Sequence, residues 1–185
     1  MGVGIHVRIE KRDNGVWVAA QRLTVDNSWR SDPRYEVIPE DEVNLGNSAL
    51  TASILVGGAR NKHELVPISA PKGLPSDASP EVRNMATQDR AEHHSHTYFT
   101  VRELLDYDWN GQSIPESGYV SKEDLPTVLA GGVPRCWRYG PEKEYTEAAS
   151  WREPVGSRIR LTGILPGLQK YGEPEDVRLV IWFDN

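Results

Sequence analysis

Cysteine is nearly missing from this 185-residue sequence: Cys136 is the only one. One thiol forms no intramolecular disulfide, and its neighbours Arg135, Trp137 and Arg138 carry no metal-ligand spacing. A disulfide-stapled secreted fold is therefore excluded, and a cytosolic redox environment fits. Basic charge is scarce as well. Lysine plus arginine number 21 against 27 acidic residues, a net charge of −6. That balance argues against general nucleic-acid or membrane-surface binding, since both require a basic face. No apolar run approaches the roughly 18 residues of a membrane span. The stretch Met1–His6 has neither a basic n-region nor an apolar h-region, so no secretion signal is expected. The H-E-x-x-H, G-x-S-x-G and G-x-x-x-x-G-K-[ST] patterns are all absent, and no motif marks the chain as an enzyme.

What is present reads as one α+β domain spanning 1–185, long enough to bury a sizeable core. Val3, Ile5, Val7 and Ile9 alternate with Gly4, His6, Arg8 and Glu10, the period of a half-buried strand. Asp13-Asn14-Gly15 is a hairpin turn signal, and a return strand is expected from about Val16 to Leu23. The far end mirrors this. Ile159, Leu161 and Gly163 alternate with polar residues, and Val177, Leu179, Ile181 and Phe183 alternate with Arg178, Val180, Trp182 and Asp184. The expectation is a mainly antiparallel sheet built from the N- and C-terminal strands, with short helices from the middle of the chain packed on one face.

Those helices have recognisable ends. Asn47 or Ser48 caps a helix through Leu50, Ile54 and Leu55 that Gly57-Gly58 stops. Ser79 is an N-cap with Pro80 at the first helical position and Glu81 in the first turn. Thr100 with Glu103 forms a capping box ahead of Leu104 and Leu105, and Ser121 with Asp124 opens a helix near Lys122 that Gly131-Gly132 ends. Residues Pro67–Pro75 form a proline-rich connector expected to pack as an extended arm.

Several stretches together resemble a known family. They are Gly4-Ile5-His6 with Glu10, Arg60-Asn61, Gly73-Leu74-Pro75 with Ser79-Pro80-Glu81-Val82-Arg83, and His94-Ser95-His96 ahead of Glu103-Leu104-Leu105 and Asp108-Trp109. The terminal Val177–Asn185 completes the set. In this order they resemble a family of bacteriophage and prophage proteins, over nearly the whole chain. Val3 and Gly4 depart from the family pattern, which has Cys and Asp there, and Leu50–Ser53 replace a Y-D-L-F-like stretch. The resemblance implies a phage origin and the host-cell cytoplasm. It implies no activity.

The densest group of functional side chains is His93, His94 and His96, lying between two helix signals and so expected on a turn. Imidazole is a common metal ligand. An H-x-H step can present two rings together, and His6 or Glu10 from the first strand could complete a shell, so a transition metal on these histidines is one reading. The plainer reading is a polar turn whose imidazoles cap helix ends. Gly57–Asn61 reads as a helix C-cap, or as a loop whose backbone donors and Arg60 meet a phosphate. His6, Arg8 and Glu10 share a strand face that needs internal partners if helices cover it. Arg135-Cys136-Trp137-Arg138-Tyr139 interleaves cations with rings, a pattern that stacks a base or merely stacks Arg on Trp.

The functional expectation is a phage-encoded binder of a small anionic, ring-bearing, nucleotide-like signal, sequestering it against host defence without a cofactor or catalysis. The ligand-binding residues expected are His93, His94, His96, Tyr98, Trp109, His6, Arg60, Asn61 and Arg135. The alternatives are a metal-dependent hydrolase using the histidines and a protein–protein adaptor that inhibits a host factor. Six tryptophans and the frequency of two-fold assemblies point to a homo-oligomer.

Overall fold

The computed structural model describes residues 4–26, 34–45, 49–58, 61–88 and 93–184. Its first elements are strands β1 (Gly4–Asp13), β2 (Val16–Ala19), β3 (Leu23–Asp26) and β4 (Arg34–Val37). Helices α1 (Ala49–Val56) and α2 (Pro80–Thr87), strand β5 (His94–Thr100) and helix α3 (Val101–Asp106) follow. Next come β6 (Ser113–Ser121), α4 (Leu125–Leu129), β7 (Trp137–Arg138), β8 (Tyr145–Pro154) and α5 (Val155–Arg158). Helix α6 (Arg160–Ile164) and strand β9 (Val177–Asp184) complete the chain. These elements pack as two compact units: a first of Met1–Tyr107 with Ile159–Asn185, and a second of Asp108–Arg158.

The first unit is built on an antiparallel sheet of order β2-β1-β9-β5. The terminal strands therefore share one sheet, as the alternation at both ends implies. Asn14 and Gly15 both take positive φ, 49° and 84°, the geometry of a two-residue turn that matches the twist of its strands. The return strand is shorter than expected. It stops at Ala19, and the Gln21 side chain caps the break by accepting from the Ile9 N–H at 2.8 Å. The chain then forms a separate β3–β4 hairpin. Both faces of the main sheet are covered, not one: every residue of β9 from Val177 to Phe183 is buried.

Helix α2 begins as its sequence dictates. Ser79 Oγ accepts from the Val82 N–H, and Pro80 occupies the first turn. Its Val82, Met85 and Ala86 pack on Val180 and Trp182, with Leu23, Tyr35 and Val37 of the β3–β4 hairpin alongside. Thr100 and Glu103 make the reciprocal capping box of α3. Helix α1 runs to Val56, and Gly57 and Gly58 end it at φ 73° and 104°. The proposed caps Asn47 and Ser48 lie outside the described residues, as does Val3.

Two expectations fail here. Residues 159–164 are not a strand: α6 and the 3-10 segment Leu165–Tyr171 replace it. Leu161, Leu165 and Leu168 are all buried, and their spacing is helical. The helix expected near Lys122 begins three residues later, at Leu125. Ser121 Oγ instead accepts from the Asp124 N–H at 3.1 Å and holds a preceding turn.

The second unit is a three-stranded antiparallel sheet, β7-β6-β8. Val120, Val128 and Trp151 form its core, with Leu125, Trp137 and Ala149 against them. Gly118 sits where a Cβ would meet Arg138 O and the Trp137 ring at 2.7 Å, so the β6–β7 approach requires glycine.

Candidate functional site

The register of β1 against β9 decides which polar groups meet. Gly4 pairs with Asp184, His6 with Trp182, Arg8 with Val180 and Glu10 with Arg178. Alternation then puts all eight on one face, the face that α2 covers. Polar residues on a covered face need partners, and each charged one has found them. Glu10 is fully buried; its carboxylate accepts from the Ser79 N–H at 2.6 Å and from Arg178 Nε at 2.7 Å. Arg178 reaches on to Asp77 at 2.8 Å and lies 4.1 Å from the Trp17 ring. This end of the face is a structural ion pair.

The other end is different. Trp182 is 1% exposed, and polar side chains surround it. His6 stacks on it at 5.5 Å and 10°, and His96 at 6.2 Å and 24°. His93 approaches tilted at 5.7 Å and stands 5.2 Å from His6. The Arg8 guanidinium lies 5.4 Å over the ring and pairs with Glu42 at 3.1 Å. The indole Nε1 is buried and has no hydrogen-bond partner among the described residues.

Each imidazole's tautomer can be read from its partner. Asp184 lies 2.9 Å from His6 Nε2. Ala86 O, near the C-terminal end of α2, lies 3.1 Å from His96 Nε2 and 3.4 Å from His93 Nδ1. A carbonyl or an ionised carboxylate only accepts, so these ring nitrogens donate. The opposite nitrogen of each neutral ring then carries the lone pair. The hydrogen bond from His6 holds the Asp184 carboxyl below its usual range, against burial, which pushes it up. Gly4 makes room for this pair, because a Cβ there would collide with the Asp184 carboxylate.

The histidines do not sit on a turn. They lie at the start of edge strand β5, with His93 just before it and His94 and His96 within it. A register shift between His94 and Thr97 marks a bulge, and Ser95 sits at φ 52°. The bulge splits the H-x-H step. His94 pairs with Phe183 and stacks on it at 6.3 Å, on the opposite face, while His93 and His96 turn to Trp182 with His6. His94 is exposed, and its Nδ1 meets Ser95 Oγ at 3.0 Å.

The remaining expected residues are dispersed. Tyr98 is half-buried against the α2 core, with Lys72 and Arg178 at 5.1 and 5.7 Å over its ring. Asn61 clamps a loop, donating to Leu65 O at 2.6 Å and accepting from the Leu65 N–H. Arg60 lies outside the described residues. Trp109 and Arg135 belong to the second unit. Sequence reasoning missed Trp182 and Asp184 as members of the cluster, though it placed Arg8 on the same strand face as His6. The signal was available in the parity of the two terminal alternations, which places Trp182 opposite His6 and Asp184 diagonal to it.

Among the described residues no group of three or more His, Cys, Asp or Glu is arranged to hold a metal ion. No described helix is long and apolar enough to cross a membrane. No family model, curated protein or solved structure matches this chain.

Proposed function

We propose that the chain is a binding protein that holds a small anionic, nucleotide-like ligand on the His6–His93–His96 face and releases it unchanged. The observation that carries this reading is the polar cluster around Trp182: three imidazoles whose second ring nitrogens become donors on protonation, the Arg8 guanidinium shared with Glu42, and an indole N–H without an acceptor among the described residues. Charge-assisted donors of this kind suit phosphate oxygens. Imidazole faces already cover the Trp182 ring, so phosphate recognition rather than base stacking supplies the affinity. The Ser95–His94 contact joins chain neighbours, and no carboxylate backs His94 among the described residues. A nucleophile–base–orienter set is not assembled there. The resemblance to phage and prophage proteins implies the host cytoplasm, and a sequestering, anti-defence role there is part of this proposal. A two-fold homo-oligomer is part of the same reading.

The test is calorimetric titration of the full chain with mono-, di- and cyclic nucleotides, followed by mass spectrometry of the ligand released on heating. Binding with intact release is expected, and His6→Gln with His96→Gln should weaken it about tenfold or more while the circular dichroism spectrum stays unchanged. Unaltered affinity in the double variant, or no binding of any nucleotide, overturns the reading. A chemically altered product moves the protein to an enzyme.

One observation favours a second reading, a metal-dependent hydrolase. Each imidazole donates one N–H to a carboxylate or carbonyl, the outer contact that orients metal-ligating histidines. Stoichiometric zinc in purified protein, with activity lost on chelation, would establish it.

A further inference from the structure

With neutral rings, the face around Trp182 is poor ground for an anion. One guanidinium, Arg8, stands there against two carboxylates, Glu42 at 3.1 Å from it and Asp184 at 2.9 Å from His6. Arg8 is also spent on Met85 Sδ and on the Val7 carbonyl. The imidazoles have given their N–H groups away: His6 Nε2 to Asp184, His96 Nε2 and His93 Nδ1 to Ala86 O. His6 Nδ1, His96 Nδ1 and His93 Nε2 therefore carry lone pairs, and none has a partner among the described residues. A lone pair repels a phosphate oxygen. A ring can meet that oxygen with an N–H only by gaining a proton. All three rings are half-buried rather than enclosed, so solvent and ligand both reach them. The buried indole N–H of Trp182, without an acceptor among the described residues, is a donor already in place.

The surroundings hold arguments for and against that proton. Ala86 lies in the last turn of α2, where carbonyls favour a cationic imidazole, and its oxygen serves two rings at once. The hydrogen bond from His6 holds the Asp184 carboxyl below its usual range, so an anion stays beside that ring. Crowding opposes the gain: the His6 and His93 rings stand 5.2 Å apart, and the Arg8 guanidinium lies 5.4 Å over the same indole. An empty face resists a second positive charge, and a bound anion removes that resistance. Other charges on the packed elements are spent elsewhere. Arg178 pairs with Glu10 and Asp77 at the far end of the face. Arg83 of α2 bonds the Pro75 and Ser76 carbonyls, and Arg34 of β4 reaches Gln88 at 3.1 Å. Tyr35 and Tyr98 pack against the same core.

We infer, resting on the binding reading above, that anion capture on this face is coupled to proton uptake: about one proton or more moves from solvent onto His6, His93 and His96 with each ligand bound. Acidity then regulates the site. A ring that faces a bound anion keeps its proton to higher pH than the same ring in the empty face. The gain in affinity is complete below the empty ring's titration and is lost as pH rises through the bound ring's. The protein therefore holds its ligand more tightly as pH falls and releases it as pH rises, across the range where imidazole changes charge.

The experiment is calorimetric titration of the full chain with cyclic AMP and, separately, inorganic sulfate. Both anions stay ionised across this range, so any proton taken up lands on the protein. Repeating each titration in buffers of different ionisation enthalpy converts the difference in heat into protons per ligand. An uptake of about one proton or more is expected near pH ~7.5, with affinity rising up to about tenfold per unit as pH falls toward ~6. His96→Gln should reduce the uptake, whereas His94→Gln, on the opposite face, should leave it unchanged. Histidine ring resonances in the unmutated chain give a second readout. Those of His6, His93 and His96 should move toward their cationic positions when ligand is added, and that of His94 should stay. Binding without net uptake, or with the three rings unmoved, overturns the inference and leaves the binding reading standing. No binding of either anion at any pH in the range overturns both.

Discussion

Replacing Glu10 with Gln isolates the buried ion pair that ties β1 to β9. The change keeps the volume and removes the charge. Both partners of the carboxylate are donors, the Ser79 N–H and Arg178 Nε, whereas an amide offers one accepting end. The other end must face a donor with a donor. Arg178, with a side chain 4% exposed, is left with Asp77, whose side chain is 63% exposed. Removing one member of a buried pair costs about 3–5 kcal/mol, a large share of a stability of about 5–15 kcal/mol. The effect should be read locally, by hydrogen exchange of the β1, β5 and β9 amides, because two units need not unfold together. Exchange there should quicken roughly a hundred- to several-thousand-fold. The exposed Arg12–Asp176 pair, at 3.5 Å with both side chains nearly half exposed, is the contrast: Arg12→Ala should cost about 0–1 kcal/mol. A Glu10→Gln cost below about 1 kcal/mol would refute the argument, because it would mean that water already solvates the pair.

Two further outcomes follow from local geometry. Arg22 clamps Asp41 through Nε and Nη2 at 2.9 and 3.1 Å, with its backbone N–H at 2.8 Å, and the carboxyl falls from 3.8 to about 2. A depressed carboxylate stabilises the fold above its unfolded value and loses that contribution as pH falls toward 2. Thermal melts of wild type and Arg22→Ala should therefore differ above about pH 4 and converge near about pH 2. Gly118→Ala drives a methyl into Arg138 O and the Trp137 ring at 2.7 Å; it should detach β7 and disturb the Trp137–Trp151 edge contact at 5.5 Å, a change that near-ultraviolet circular dichroism would register.

The terminal strands were legible because Val7 and Ile9 alternate with polar residues in β1 and because β9 is dense in Val, Leu, Ile and aromatic residues, and α2 and α3 because their caps are spelled out at Ser79-Pro80 and Thr100-x-x-Glu103. Strands β6 and β8 were not. Their inward positions include Ile114, Val120 and Trp151, but Pro115, Gly118 and a run of small residues dilute the period. Ile159 and Leu161 suggested a strand until Leu165 and Leu168 are counted with them. For the histidines, residue type was informative and spacing misleading. A one-residue bulge at Ser95, fixed by pairing with β9, sends His94 to one face and His96 to the other, and nothing in a local window encodes that shift. The pairing of β9 with β1 brings Asp184 to His6 across most of the chain.

Strand β9 has a consequence for how the fold is reached. It is a central strand of the main sheet, between β1 and β5, yet it follows every other described element in the chain. Glu10 waits for Arg178 across 168 residues, so the loop that closes the sheet is among the costliest this chain can form. Until β9 arrives, β1 can pair only with its short hairpin partner, and β5 has no neighbour in the sheet. The second unit, contiguous in sequence, has no such wait. A ribosome-bound chain should therefore show a protease-resistant second unit while the residues before it remain open to cleavage, and assembly of the histidine cluster should be the slow and final event.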